Sequence, residues 1–454
     1  MANAKASAVE VIPDPEQERV WDRVAAIDVA KDSGMVCVRV PDEDHPGRRA
    51  SRVWSVPARM GQVIELADHL AGERVEQVTL EATSDYWRMF FYLFEAAGLN
   101  VVLVNAREVK NVPGRAKTDK KDAVWLAKLT ERGMLRASFV PPARVRELRD
   151  YTRMRVDLTR DRTRCWQRLE KLLEDALIKI SSVASKLTTR STREMIRALV
   201  RGERDPRRLA DLARGPMRAK IPQLVEALTG TFDDHHGELA AIWLDQIDYL
   251  DEQIEGLTGR IETLIGALPD AWGIDADGTT GPEAGHGAGA VAAPVLDRLA
   301  AIPGLSRDTA ATIIAETGLD MSRFPTAGHL VSWARLCPRT VQSGARSRSR
   351  RGGKGNPYLK GALGQAAAAA ARTDTFLGHR FRRLVKRMGK PKAYVAIARS
   401  ILVVIWHLLN DPTASFYDLG PDYYAARQKT AAAVRNHVRH LRALGFEVSI
   451  TPAA

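Results

Sequence analysis

Cysteine is scarce in this chain. There are three in 454 residues, Cys37, Cys165 and Cys337, widely separated and without a CxxC pair. That spacing argues against a disulfide framework or a zinc finger and fits a reducing compartment. Long apolar runs are missing too. The most apolar stretch, "YVAIARSILVVIWHLL" (394–409), holds Arg399 and His407 within its 16 residues. It is too short and too polar to span a bilayer, so a buried core helix is expected there and no membrane partner. The opening "MANAKASAVEVIPDPEQERV" has no apolar core of a signal peptide, and a cytoplasmic, nucleoid-associated protein is expected. One further lack is local: no Asp or Glu lies between Met321 and Arg372.

What is present is positive charge. Lys and Arg number 68 against 55 Asp and Glu, a net charge of +13 and a pI near 9.7. The balance favours a polyanionic partner, nucleic acid first. Hydrophobic residues make up 45% of the chain, enough for a sizeable core, and the length suits two or three domains.

Patterning divides the chain. Residues 1–21 read as a disordered lead. "DRVAAIDVAKDSGMVCVRV" (22–40) reads strand, turn, strand, and alternating helices and strands follow to 142. Thr118 caps a helix expected to run to about Gly133. The pattern predicts an α/β domain with a mixed sheet over 22–142. Residues 143–268 read as helical. Trp243, Ile247, Leu250, Ile254, Leu257, Ile261, Leu264 and Leu268 repeat at alternating spacings of four and three, a heptad seam. A weaker seam, Leu158, Cys165, Leu169, Leu172 and Ala176, is a partner for it within the chain or across a dimer. Residues 269–294 form a Gly/Ala-rich linker. A mainly helical domain is expected over 295–420 and a basic helical tail over 421–454.

Four carboxylates stand out. Asp28 sits inside the apolar strand "AAIDVA", where a charge is costly unless paired or bound to metal. Glu81 ends the strand "VTLEA". Asp119 and Asp122 lie three apart at a helix start and share a face. The helix dipole and the flanking Arg115, Lys117, Lys120 and Lys121 give the two aspartates a purely electrostatic reading. If all four converge at one sheet edge, they repel unless divalent cations neutralise them, and hard, oxygen-ligated Mg²⁺ suits such a set. Two such ions assist phosphoryl transfer, with the nearby cations on phosphates. Asp32 and Asp85 are assigned to turns or surface.

"AIDVAKDSG", "TLEAT" and "NAREVKNVPGRAKTDKKDAVWLAKL" resemble the ribonuclease-H-like (RuvC-like) DEDD domain of the "one-ten" family of bacterial insertion-sequence transposases. The resemblance covers 22–142 and 296–410. It implies Asp28, Glu81, Asp119 and Asp122 as catalytic Mg²⁺ ligands. It also implies DNA recombination and a structured guide ("bridge") RNA. The chain departs from the family in its long lead, its Gly-rich linker and its basic tail.

Within the C-terminal part, "LAAIPGLSRDTAATIIAETG" (299–318) reads helix, tight turn, helix. It resembles a helix-hairpin-helix whose turn amides meet phosphate; an αα-corner packed on its neighbours reads equally. "PRTVQSGARSRSRRGGKGNPYLKGAL" carries Arg339, Arg346, Arg348, Arg350, Arg351 and Lys354 and is expected to be a DNA-gripping loop. By residue type alone, Ser343 in this loop is a phosphate hydrogen-bonder. The family resemblance implies that it is the catalytic serine. Ser332, Ser347 and Ser349 keep the plain reading.

The reading as a whole is an α/β plus all-α DNA transposase/recombinase. It uses DNA and guide RNA, and forms a homo-oligomer, a dimer through the coiled coil and a tetramer on DNA. The rival readings are a metal-dependent junction-resolving endonuclease with water as nucleophile, and a non-enzymatic nucleic-acid-binding protein.

Overall fold

The computed structural model describes residues 20–45, 47–82, 84–105, 118–271, 295–343, 346–350, 353–426 and 430–450. The side chains of 82, 119, 339–343, 346–350, 425–426 and 430–433 are outside the described set. Arg115, Lys117, Arg351, most of the lead and nearly all of the linker lie outside the described residues. The chain divides into two units, Met1–Val140 and Pro141–Ala454.

In the first unit, "VAAIDV" alternates between two apolar environments, as a strand covered on both faces must. It forms β1 (Val24–Val29). β2 (Ser33–Pro41) and β3 (Arg49–Pro57) follow as antiparallel neighbours. Then come α1 (Met60–Gly72), β4 (Gln77–Ala82), α2 (Trp87–Ala96), β5 (Val101–Asn105) and α3 (Asp119–Glu131). The sheet order is β3-β2-β1-β4-β5, with β4 and β5 parallel to β1. This mixed five-stranded sheet fits the expected ribonuclease-H-like domain.

Ala25, Ile27, Val29 and Leu80 pack on one face with Leu66 and Leu70 of α1 and Phe90 and Phe94 of α2. Val24, Ala26, Cys37 and Val104 pack on the other with Ala123, Leu126 and Ala127 of α3. Leu126 is fully buried, which contributes about 1.5–3 kcal/mol toward holding α3 on the sheet. β3 was not anticipated. Its run "RASRVWSVP" is half-exposed and mixes polar with apolar residues without a clean period, which suits an edge strand and gives a weak sequence signal.

The second unit opens with α4 (Ala143–Asp175), a 33-residue helix. Short turns of helix lie at Ile180–Val183, Pro206–Ala210 and Ile221–Ala227, with α5 (Arg190–Val200) among them. α6 (Asp234–Gly266), also of 33 residues, returns along α4. The heptad seam is therefore filled within the chain. Ile247, Leu250, Ile254, Ile261 and Leu268 are buried, as are Cys165, Leu169 and Ala176 opposite. The one charged interruption, Arg162, reaches across to Asp251 of α6 at 2.5 Å. Between the two long helices, α5 and the short turns build a helical head around Ile180, Met195, Ile196, Leu199, Leu209 and Leu224.

α7 (Val295–Ala300), α8 (Arg307–Thr317) and α9 (Ala327–Trp333) follow. Next come β6 (Arg339–Ser343) and β7 (Arg346–Arg350), an antiparallel pair. The chain continues through α10 (Pro357–Ala370), α11 (Phe376–Met388), α12 (Lys390–Asn410) and α13 (Thr430–Ala443). The expected basic loop is thus partly a two-stranded ribbon, and the alternation in "RSRSR" is the period-two pattern that a strand requires.

α12 is the one described helix long and apolar enough to cross a membrane by length and composition. It packs against α9, α10 and α11 and buries Ile397, Ile401, Leu402, Ile405 and Leu408 among them. The turn between α7 and α8 carries Gly304 at φ +87°, where a Cβ would stand 2.4 Å from the Ala370 backbone nitrogen of α10. Close packing on α10 accounts for this Pro-Gly turn.

Candidate active site

The carboxylate pattern is set first by register. β1 and β4 pair so that Asp28 stands directly beside Glu81, and Glu81 directly beside Val104 of β5. Val24, Ala26 and Val104 belong to the α3 side of the sheet. By strand alternation Asp28 lies on that side as well, and so does Glu81. Asp28 is half-buried, while Glu81 is 8% exposed.

α3 brings the other pair. Its N-cap is Thr118, whose hydroxyl accepts a hydrogen bond from the Lys121 backbone N–H at 3.3 Å. This is the helix start expected from the sequence. At the opposite end, the carbonyl of Glu131 accepts from the backbone N–H groups of Val20 and Trp21, just before β1. α3 therefore runs antiparallel to β1, with its C-terminus at the start of that strand and its N-terminus toward Asp28. From Glu131 back to Asp119 the helix rises about 18 Å. From Trp21 forward to Asp28 the chain extends about 23 Å. The helix start therefore arrives near the level of the Asp28–Glu81 pair. Asp122, Ala123 and Leu126 share the sheet-facing side by helical spacing. The side chain of Asp122 is half-buried.

The far end of α3 is held by a group the sequence reading missed. Glu131 is 7% exposed. It forms ion pairs with Arg39 of β2 at 2.7 Å and Arg49 of β3 at 3.2 Å. Its signal was a single Glu at a helix end, indistinguishable from a surface residue without knowing that β3 exists.

Of the expected cationic contacts, Lys120, Lys121 and Lys354 are exposed. Arg339, Arg346, Arg348 and Arg350 lie on the ribbon strands. Ser343 is the last residue of β6 and pairs with Arg346, so it stands at the turn end of the ribbon. Asp32 and Asp85 are exposed, and Asp85 pairs with Arg88 at 3.2 Å. Both fit the turn-and-surface assignment.

Two other constellations lie in the second unit. Donor atoms of Asp233, His235 and His236 fall within 4.8 Å of one another. Here Nδ1 of the buried His236 accepts from the Asp233 backbone N–H at 3.2 Å, and the Asp233 side chain accepts from the backbone of His236. That reciprocal cap explains the cluster as the start of α6. A cavity of 810 Å³ is lined by Arg162, Trp166, Arg190, Arg193, Arg197 and Asp251, among others. Its arginines are engaged: Arg193 with Asp248 at 3.0 Å and with Asp251, Arg197 with Asp248 at 2.5 Å, and Arg190 with Glu194 at 3.1 Å. This network staples α5 and α4 to α6.

A mixed sheet with paired Asp and Glu on neighbouring central strands, approached by a helix that starts in Asp-x-x-Asp, fits a ribonuclease-H-like domain. Residues 25–178 match the model DEDD_Tnp_IS110, described as a transposase, and residues 296–382 match the transposase IS116/IS110/IS902 family. The chain is also 29% identical, over 322 residues, to the "Insertion element IS110 uncharacterized 43.6 kDa protein" of Streptomyces coelicolor (strain ATCC BAA-471 / A3(2) / M145). That alignment spans 67% of this chain and 73% of the relative. The chain belongs to the IS110 family of transposases, which makes it a DNA-processing enzyme.

The donor set fits a divalent metal. Asp28, Glu81 and Asp122 offer only carboxylate oxygens, the ligands that hard cations take.

Proposed function

We propose that the protein is an RNA-guided DNA strand-exchange recombinase of a mobile insertion sequence, acting through a covalent serine–DNA intermediate. The observation that carries this reading is the register that sets Asp28 beside Glu81 on the sheet face where α3 begins. Mg²⁺ held by Asp28, Glu81, Asp119 and Asp122 would stabilise charge on phosphoryl oxygens. Ser343 supplies the nucleophile. Its Oγ attacks the phosphorus of a DNA phosphodiester, the bond to the 3′ oxygen breaks, the serine proton passes to a base and the departing oxygen takes one up. One phosphoester replaces another. Attack by a new 3′-OH therefore reverses the step onto a different strand without a nucleotide cofactor. Arg115, Lys117, Lys120, Lys121, Arg339, Arg346, Arg348, Arg350, Arg351 and Lys354 bind backbone phosphates of DNA or of the guide RNA.

The carboxylates and the serine belong to different blocks of sequence, so a site shared between protomers of an oligomer is part of the proposal. With the heptad seam occupied by the chain's own α4, a dimer would use another surface, such as the exposed Leu239, Ile242 and Tyr249 of α6.

The test is a denaturing gel of protein incubated with element-end DNA, Mg²⁺ and cognate RNA. A DNA–protein adduct is expected, absent in Ser343→Ala and in Asp28→Asn. Cleavage by Ser343→Ala without any adduct would instead assign the nucleophile to water. Mixing Asp119→Ala with Ser343→Ala protein should restore adduct formation if sites are shared, and no recovery would refute sharing.

A further inference from the structure

Glu316 is the most completely buried acidic residue described in the second unit, at 0% exposure near the C-terminal end of α8. A carboxylate in that position is costly unless every oxygen is engaged. Arg153 of α4 grips it with both prongs, Nε to Oε1 at 2.7 Å and Nη2 to Oε2 at 2.9 Å. Arg149, one turn earlier on α4, adds Nε at 3.2 Å from Oε2, and donates to the carbonyls of Ala315 at 3.0 Å and Glu316 at 2.8 Å. Asn356 supplies the remaining partner, its Nδ2 donating to Oε2 at 2.5 Å.

Asn356 is where the basic ribbon's return leg ends. Its Oδ1 accepts from the backbone N–H groups of Tyr358 and Leu359 at 3.0 and 3.2 Å, capping α10. Tyr358 donates its hydroxyl to Asp157 of α4 at 2.7 Å and lies under the Arg153 and Arg160 guanidinium groups. The ribbon's ingoing and outgoing legs also meet at its base. Gly355, at φ +60°, leaves room for only a hydrogen where a Cβ would stand 2.9 Å from Lys360 Cε and 3.2 Å from Arg335 Cβ. Lys360 donates to the Gly353 carbonyl at 2.8 Å.

We infer that Glu316, acting through Asn356, is the positioning residue for the ribbon that carries Ser343. One buried carboxylate ties α4, α8 and the exit of the ribbon to a single point, so the base of β6–β7 is fixed to rigid helices while Ser343 stands at the opposite, turn end. The inference rests on the proposal that Ser343 is the nucleophile. A reacting hydroxyl must be held to within a fraction of its working geometry, and looseness at the base of its support lowers rate without lowering affinity.

Asn356→Ser is the diagnostic variant. Serine still caps α10 but is too short to donate to Glu316. In Asn356→Ser, adduct formation at saturating DNA should slow by about tenfold or more, while DNA affinity stays close to wild type and the thermal midpoint falls only by what one lost hydrogen bond to a buried charge costs. Hydrogen exchange over 339–343 and 346–350 should accelerate by a similar factor, with α8 and α10 still protected. Wild-type rates and wild-type exchange in Asn356→Ser overturn the positioning role. A loss of rate with hydrogen exchange over 339–343 and 346–350 unchanged assigns Glu316 a purely structural role and also overturns it. Wild-type protein that forms no Ser343-dependent adduct sinks the nucleophile reading itself, whereas the exchange measurement still reports whether Glu316 holds the ribbon.

Discussion

Replacing Glu131 with Gln tests whether α3 is aimed by its far end. In the folded protein both Glu131 oxygens face guanidinium groups, Arg39 at 2.7 Å and Arg49 at 3.2 Å, and all three side chains are 9–12% exposed. Glutamine keeps the shape but removes the negative charge that both guanidinium groups face. Removing one partner of a buried ion pair costs about 3–5 kcal/mol, a large part of the roughly 5–15 kcal/mol that holds a domain together. At roughly 4 °C per kcal/mol for a unit of this size, the first calorimetric transition should fall by about 12–20 °C. The same change should weaken Mg²⁺-dependent DNA cleavage below the melting range, because the start of α3 drifts when its end is released. Scanning calorimetry of the full chain reads the first effect and cleavage assays read the second. The combined Arg39→Met, Arg49→Met, Glu131→Leu variant should recover most of the lost stability, since apolar groups of similar volume replace a buried ion cluster with little penalty. A Glu131→Gln protein that melts within about 3 °C of wild type would refute the argument, since it would mean the cluster is hydrated in solution.

Three further outcomes are expected. Gly304→Ala should strongly destabilise the second unit, because the new methyl meets the α10 backbone at 2.4 Å and the residue sits at φ +87°; normal urea unfolding of the variant would contradict the packing. Burial of Asp251 works to raise its pKa, but hydrogen bonds from Arg162 and Arg193 outweigh it and hold the carboxyl below its ordinary value. Its contribution is therefore present above the unfolded value near about 3.9 and is lost as pH falls through the lower folded value. Urea midpoints of wild type and Asp251→Asn should differ at pH 7 and converge under acid, and parallel curves would refute this. Burial pushes the Cys37 thiol up to about 11, against the opposing pull of Arg39 and Lys128. Iodoacetamide at pH 8 should label the half-buried Cys337 and spare Cys37 until denaturant is added, as peptide mass mapping would read; equal labelling would overturn it.

Local patterns in the sequence told most where one residue type had one explanation. The apolar, β-prone run "VAAIDVA" forecast a strand, and Thr118 forecast a helix start; both are present. The heptad seam forecast two long helices, but spacing alone could not say whether the partner was α4 of the same chain or a second copy. β3 was hidden because half its residues face solvent. The ribbon was hidden because its alternation is of Arg with Ser, which reads as a charged loop until the strands are seen paired. Glu131 and Glu316 were invisible for a common reason. Each is a lone acid whose arginine partners lie more than 80 positions away. Asp28 and Glu81 drew notice because a carboxylate inside or at the end of an apolar strand is conspicuous, whereas an acid on a helix is not.

Because α4 closes the seam of α6 along both 33-residue helices, the pair behaves as a solid strut about 50 Å long that requires no second subunit to stay straight. Its head, folded around its own apolar centre, rides at the tip as cargo. Adding or removing matched heptads on both helices would move that cargo by about 10 Å per step and leave the root, where Arg149 and Arg153 hold Glu316, untouched. A protein built this way has an adjustable ruler whose length can drift through evolution without disturbing the Glu316 anchor at its root.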